Sequence, residues 1–272
     1  MDILGHIIEF FDLRTLLILG LIFVPLERLL ALHAEQKTLR KSLSTDLVYL
    51  FAIGQVSRFG LLVVLSVLML GIELVMPAGV GEAVRSQFWL LQLIEAMLLA
   101  DIGIYLAHRA FHAIPWLWRF HAVHHSSEEL DWLSAYRVHP IDQVVTKATA
   151  LLPVFALGFS TEVVAILFVI QQVHAVLVHA NTRLDFGPFK WLLVSPQFHH
   201  WHHANEKHAY DRNFAAQFPV LDWLGGTMLM PGKAYPQHYG VDDGTSATDP
   251  IRQLLDPFRP PAKTDPEQQP AE

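Results

Sequence analysis

Phe198-His199-His200-Trp201-His202-His203 packs four imidazoles into six residues. Two earlier stretches echo it, His108-Arg109-Ala110-Phe111-His112 and His121-Ala122-Val123-His124-His125. The chain has 16 histidines in 272 residues, and nine of them fall in these three stretches. At helical pitch, residues four apart lie on one face about a turn, or about 5.4 Å, from each other. His108 and His112 are therefore expected to point the same way, as are His121 with His124 and His125, and His199 with His202 and His203. Each stretch then offers nitrogens to one point in space, which is the pattern of a metal site. A lone His-x-x-x-His arises by chance. Three clusters, two with the identical spacing His-x-x-His-His, do not. Neutral imidazole ligates zinc, iron, copper and nickel alike, so residue type leaves the metal open. A four-coordinate zinc uses about four protein ligands, or three and a water. Eight spaced histidines exceed that, and two adjacent metals of higher coordination number would use them.

Composition sets the surroundings of this site. The chain has no cysteine, which excludes disulfides, iron–sulfur clusters and thiolate zinc sites. Apolar residues make up 52% and charged residues 17%, with a mean hydropathy of +0.32, more apolar than a typical soluble domain. The formal charge of -7, without a basic aromatic patch, gives no footing for nucleic acid.

The apolar runs predict an all-α, integral-membrane helical bundle with four to five membrane-embedded helices and a histidine-rich cap. The first run, 16–32, has acidic residues upstream and no basic leader or cleavage site, and reads as an uncleaved span. A second covers 47–76 and is broken at Pro77-Ala78-Gly79. The third, 88–107, carries Glu95 and Asp101; charges inside a span face protein or a polar cavity. Asp101 lies two turns before His108, either supporting the cluster or pairing with an arginine of a neighbouring helix. Pro115 separates the first two clusters, placing them on different helices or on either side of a bend. The runs 144–157 and 163–178, joined by Gly158-Phe159-Ser160, are each short for ~30 Å of hydrocarbon and read as a hairpin. Three domains follow: 1–87 as amino-terminal membrane helices, 88–230 as a catalytic domain, and 231–272 as a polar, partly disordered tail.

If the chain begins outside, the link 33–46, with Lys37, Arg40 and Lys41, is inside. The link 77–87, with Arg85 alone, is then outside, in line with the positive-inside tendency. All three histidine clusters then fall on the cytoplasmic face.

The order of these motifs resembles the fatty acid hydroxylase and sterol desaturase superfamily of integral-membrane di-iron oxygenases. Arg137-Val138-His139-Pro140, His179-Ala180-Asn181, Asp211-Arg212-Asn213 and the stretch from Leu221-Asp222-Trp223 to Thr227 are similar to further signatures of that family. The resemblance covers roughly 95–230. Leu221 stands where the family usually has Trp, and His200 where it often has Asp. What the resemblance implies is a di-iron centre of two Fe ions, with O2 as co-substrate, that hydroxylates or desaturates a lipid C–H bond. The implied ligands are His108, His112, His121, His124, His125, His199, His202 and His203, with His139 and His179 as further candidates. Asn181 and Asp211 are expected to bind the outer nitrogens of ligands. His6, His33, His208 and His238 read as surface residues, and Trp116, Trp118 and Trp201 as anchors at the membrane boundary.

No nucleotide fingerprint or fused cytochrome is visible, so electrons are expected from a separate ferredoxin or small cytochrome with its reductase. The tail has no endoplasmic-reticulum retrieval signal, which leans towards a bacterial inner membrane. The competing reading is a histidine-rich metal transporter. Transporters place ligands near the bilayer midplane on broken helices, whereas these clusters follow the ends of spans. A haem protein needs axial histidines on facing helices, and His-x-x-His-His crowds too many together for that.

Overall fold

The structure, a computed structural model, describes residues 13–259. Among these residues the chain is helical, and the one backbone pairing of strand type is an isolated bridge between Ala204 and Tyr239. In chain order the helices are α1 (Leu13–Leu29), α2 (Leu43–Val48) and α3 (Gly54–Glu73), then α4 (Val80–Arg85), α5 (Trp89–Ala113) and α6 (Pro115–His125). They continue with α7 (Pro140–Ala156), α8 (Thr161–His179), α9 (Pro196–His202), α10 (Val220–Gly225) and α11 (Pro250–Leu255). A π-helical turn, Tyr49–Ile53, joins α2 to α3 without a break.

Among the described residues, three helical stretches are long and apolar enough to cross a membrane: Leu43–Ile72, Trp89–Ala113 and Thr161–His179. The protein is an integral-membrane one. Leucines at 21, 70 and 106 are exposed on these helices and on α1. An apolar face of that extent is stable against lipid. Inward, α3, α5, α7 and α8 pack through Leu65, Ala96, Ala100, Leu151, Val154 and Leu167, each at most 6% exposed. Gly103 lets α5 and α7 approach closely, since a Cβ there would stand 2.3 Å from the Thr149 carbonyl oxygen. The expected hairpin is present, with α7 and α8 joined through Gly158 at φ +70°.

The third span continues six residues past the expected end at 107, so His108 and His112 sit on the last turns of α5. Pro115 opens α6 as expected, at a position where its missing N–H costs nothing. Above the bundle, α6, α9, α10 and the loops form the cap.

Part of the segment expected as a polar, partly disordered tail is described. Residues 231–259 lie on the cap: the Gln253 amide donates to Ser126 Oγ at 3.1 Å, and the Ala247 carbonyl accepts from Arg137 at 2.9 Å. The remainder of that tail lies outside the described residues, as does His6. A buried charge network ties the amino-terminal link to the cap. Arg40 Nε donates to Asp131 at 2.7 Å, Arg137 Nε donates to Asp46 at 2.6 Å, and Arg40 also bonds Asp46. Breaking one partner of such a network leaves an uncompensated buried charge.

Candidate metal centre

Nine histidines converge, in two groups. The outer group is His108, His112, His121, His125 and His202; the inner group is His124, His179, His199 and His203. Within each group the ligand nitrogens lie within 4.8 Å of one another. The two His-x-x-His-His motifs do not each aim at a single point, which corrects the expectation from spacing. His121 and His125 join the outer group, while His124 between them joins the inner one. His199 and His203 join the inner group, while His202 joins the outer one. Residues four apart share a face, and the residue at the third position is turned about 60° away. Each motif therefore supplies both groups, and the two interlock. The rings of His125 and His203, one from each group, stack at 4.5 Å.

The Nε2 atoms are the ones that meet. In the outer group, His121 Nε2 lies 3.0 Å from that of His108 and 3.2 Å from that of His125, which is 3.0 Å from His202 Nε2. In the inner group, His179 Nε2 lies 3.1 Å from His124 Nε2 and 3.0 Å from His199 Nε2, itself 3.1 Å from His203 Nε2.

The opposite nitrogens fix the tautomers. His108 Nδ1 donates to the Phe214 carbonyl at 2.8 Å, His121 Nδ1 to Asp142 at 2.7 Å, and His124 Nδ1 to the Arg137 carbonyl at 3.0 Å. His179 Nδ1 donates to the Ala175 carbonyl at 2.7 Å, His202 Nδ1 to the Arg212 carbonyl at 2.8 Å, and His112 Nδ1 to Asp211 at 3.2 Å. Carbonyl oxygens only accept, and a neutral imidazole has one proton, so that proton is on Nδ1. Burial holds the imidazoles neutral. It pushes His124 down to about 4, and His121, His125, His199, His202 and His203 well below the usual range.

The Nε2 atoms of these six imidazoles therefore carry lone pairs and no proton. His108 facing His121, or His124 facing His179, at hydrogen-bond distance is repulsive unless a cation lies among them. Two nitrogens each about 2.1 Å from one ion and about 90° apart would be about 3.0 Å from each other, which fits the observed separations. His112 Nε2, buried without a partner, belongs to the same outer group. The residues fit a pair of metal ions.

The other candidate residues fall elsewhere. His139 joins neither group. Its Nδ1 accepts the Ile141 N–H at the start of α7, and its Nε2 donates to the Leu254 carbonyl at 3.3 Å, so both nitrogens are occupied. His200 Nε2 donates to the Ala180 carbonyl at 3.1 Å, and its Nδ1 accepts from Tyr239 at 2.8 Å, fixing the backbone beside His179. Asp211 binds a ligand nitrogen as expected. Asn181 does not: it brackets the backbone N–H and carbonyl of His33, which is thereby a tether for the amino-terminal link. Asp101 pairs with no arginine among the described residues but supports the cluster indirectly, accepting the N–H groups of Ala216, Gln217 and Phe218. It thus fixes the loop whose Phe214 carbonyl holds His108. Trp201 is buried and donates to the Ala234 carbonyl at 2.9 Å, so it belongs to the cap core. Trp118 lies against His112 and His125, with ring centroids at 5.0 and 5.4 Å.

Sequence reasoning missed Asp142. It lies 21 residues after its partner His121, beyond any local spacing, and only its place two residues after His139-Pro140 marked it. The closing motif is structural: Asp222 accepts the Phe214 and Ala215 N–H groups, and Gly225 is needed because a Cβ there would overlap the Tyr105 hydroxyl.

A helical membrane protein with two interlocked all-histidine groups at the ends of its spans belongs to the class of membrane metalloproteins. Residues 93–227 match the family model described as fatty acid hydroxylase, and the chain belongs to that superfamily of hydroxylases and sterol desaturases. It is 30% identical over 180 residues to the ornithine lipid hydroxylase OlsE of Rhizobium tropici, covering 64% of this chain and 54% of that one. It is 27% identical over 158 residues to human alkylglycerol monooxygenase, covering 58% and 35%. With the very-long-chain aldehyde decarbonylase GL1-1 of Oryza sativa subsp. japonica it shares 29% over 136 residues, covering 46% and 21%. The chain thus spans about half the length of the bacterial relative and less of the others. No solved structure matches it.

Proposed function

We propose that this protein is a di-iron, O2-dependent oxygenase that oxidises a C–H bond of a membrane lipid. The observation that carries the reading is the convergence of unprotonated Nε2 atoms in two adjoining groups at the membrane edge of the bundle. Nine of the expected ligands, His108, His112, His121, His124, His125, His179, His199, His202 and His203, form the set, and His139 serves as a helix cap. Iron bound there supplies the O2 reduction that an unactivated C–H bond requires. For hydroxylation the balance is one lipid C–H, one O2, two electrons and two protons, giving the alcohol and water. The relatives' names, two lipid oxygenases and an aldehyde decarbonylase, support a lipid substrate.

The chain's own groups set the conditions. The Phe214, Arg137, Arg212 and Ala175 carbonyls and the Asp142 carboxylate accept five outward N–H bonds that keep the rings turned inward. The inner group excludes water by burial. His112 with Asp211 forms the edge that meets solvent, since the Asp211 side chain is 71% exposed. Protons and electrons are proposed to enter on that side, from a separate ferredoxin or small cytochrome. The clusters then face the cytoplasm of a bacterial inner membrane, and the catalytic unit runs from 88 through the residues 231–259 that lie on the cap. Nothing in the site favours the metal-transporter alternative.

Elemental analysis of detergent-purified protein beside a His202→Ala/His203→Ala variant tests this. Two irons per chain are expected, sharply reduced in the variant, with an oxidised lipid formed when reductant and O2 are added. Protein that binds no iron after anaerobic iron reconstitution overturns the reading.

A further inference from the structure

The hairpin α7–α8 carries two polar side chains that the metal centre does not use. Counted from Phe159 at the turn, Val154 and Val164 are each five residues away, Leu151 and Leu167 each eight, and Lys147 and Gln171 each twelve. The first two rungs are apolar and sealed, none of the four more than 4% exposed. The third rung is polar on both helices. Lys147 continues the inward stripe of Val154 and Leu151, three and four residues apart on one helix face, and Gln171 continues that of Val164 and Leu167. Direct contacts between α7 and α8 are few, and each packs on α5 instead.

Neither polar group is satisfied by the protein. Gln171 is 6% exposed, and both its amide nitrogen and its amide oxygen lack a partner. The adjacent Gln172, by contrast, donates to the Tyr136 hydroxyl at 2.8 Å. Lys147 is half-buried, with no ion pair or hydrogen bond among the described residues. A buried amide without partners and a cation without an acid are both costly, more so at membrane depth. By helical rise, Gln171 lies about 12 Å before His179, and Lys147 about 7.5 Å after Asp142. The polar rung therefore lies below the metal centre, on the same two helices that hold its inner and outer edges. Such a rung is accounted for by a ligand that presents oxygen to both side chains.

We propose that Lys147 and Gln171 hold an anionic oxygen, carboxylate or phosphate, of the lipid that is oxidised above them. The lysine neutralises the charge and the glutamine amide donates to the same group, so that binding there fixes which carbon reaches the metal centre. This rests on the oxygenase reading for the identity of the lipid as substrate, but not for the binding itself.

The test is equilibrium binding to the purified full-length chain in neutral detergent micelles, read by electron paramagnetic resonance. The probes are a spin-labelled fatty acid and its methyl ester, and a spin-labelled lysophosphatidate with a neutral monoacylglycerol counterpart. In the wild type, one anionic probe is expected to bind at least tenfold more tightly than its neutral counterpart, and which one names the group. Lys147→Met and Lys147→Gln remove that preference, Lys147→Arg keeps it, and Gln171→Leu reduces it severalfold. Lys147→Met is also expected to raise the unliganded melting temperature, because it removes a buried charge with no partner. No preference in the wild type, or one that survives both Lys147→Met and Lys147→Gln in protein of unchanged metal content, overturns the proposal. Charge-dependent binding without any oxidised product would overturn the oxygenase reading alone. Product formation with charge-independent binding would overturn the polar rung alone.

Discussion

The two histidine groups use the same ligand atom and differ in what stands behind it. In the outer group two imidazoles are backed by carboxylates, Asp142 on His121 and Asp211 on His112. In the inner group the identified backing comes from the carbonyls of Arg137 and Ala175, and the Nδ1 atoms of His199 and His203 are buried without a partner. The outer group touches solvent through His112 and Asp211, whereas all four members of the inner group are at most 8% exposed. A carboxylate behind an imidazole raises its basicity and fixes its ring. The outer group is thus the better electron donor to a bound cation and the one open to exchange; the inner group is the more enclosed.

The largest effect that would break this comparison comes from removing one ligand of each group separately. His202→Ala should empty the outer group and leave about one metal per chain. His203→Ala should do the same to the inner group, and both should abolish turnover. Elemental analysis reads both, and loss of all metal from either single variant would show one cooperative site instead of two groups.

Next in size is Asp142→Asn, which keeps the shape of the side chain and removes its charge. Metal affinity should drop about 10- to 100-fold, as expected for the partner of a ligating imidazole. The loss should fall on the outer group, measured by competition with a chelator. An equal loss from both groups would erase the contrast in backing. Asp211→Asn should cost only about two- to fivefold, because an exposed carboxylate is screened by solvent. Steady-state rates over pH check this; an effect as large as that of Asp142→Asn would show that the exposed edge matters as much as the buried one.

The smallest effect concerns the support of the inner group. His139 lies two residues after Arg137, whose carbonyl holds His124, and burial pushes its imidazole from 6.5 down to about 4, against the pull of the Leu254 carbonyl. The unfolded chain takes up this proton near 6.5 and the folded chain only near 4. Stability is therefore full above about 6.5 and falls as pH drops towards 4. His139→Asn retains a capping side chain at the start of α7. Its melting temperature should fall less steeply across that window, by one proton's worth of linkage, and an unchanged slope would remove His139 from the account.

How much of this was legible beforehand varies by residue. The helices and their breaks at Pro115 and Gly158 follow from apolar runs and backbone chemistry, which are local. The eight motif histidines were legible because imidazoles at spacings of three and four are rare unless used together, and His179 only through the family resemblance. Asp142, the Asp101 loop clamp and the Arg40–Asp131 and Arg137–Asp46 pairs were not, because their partners lie 21 to 117 residues away. Likewise His139 resembled a ligand by motif, but its Nδ1 caps α7 at Ile141 and its Nε2 is taken by the Leu254 carbonyl, 115 residues distant.

The sequence alone determined that histidines at helical spacing follow the ends of apolar spans, and so that metal ligands gather at one membrane edge. Spacing repeats along one helix and needs no knowledge of its neighbours. Only the tertiary structure decided that each His-x-x-His-His motif divides between two groups, that six of the imidazoles turn a bonded Nδ1 outward, and that Gln171 is buried without a partner. Those facts depend on which helices cross, and the distances between helices are set by packing.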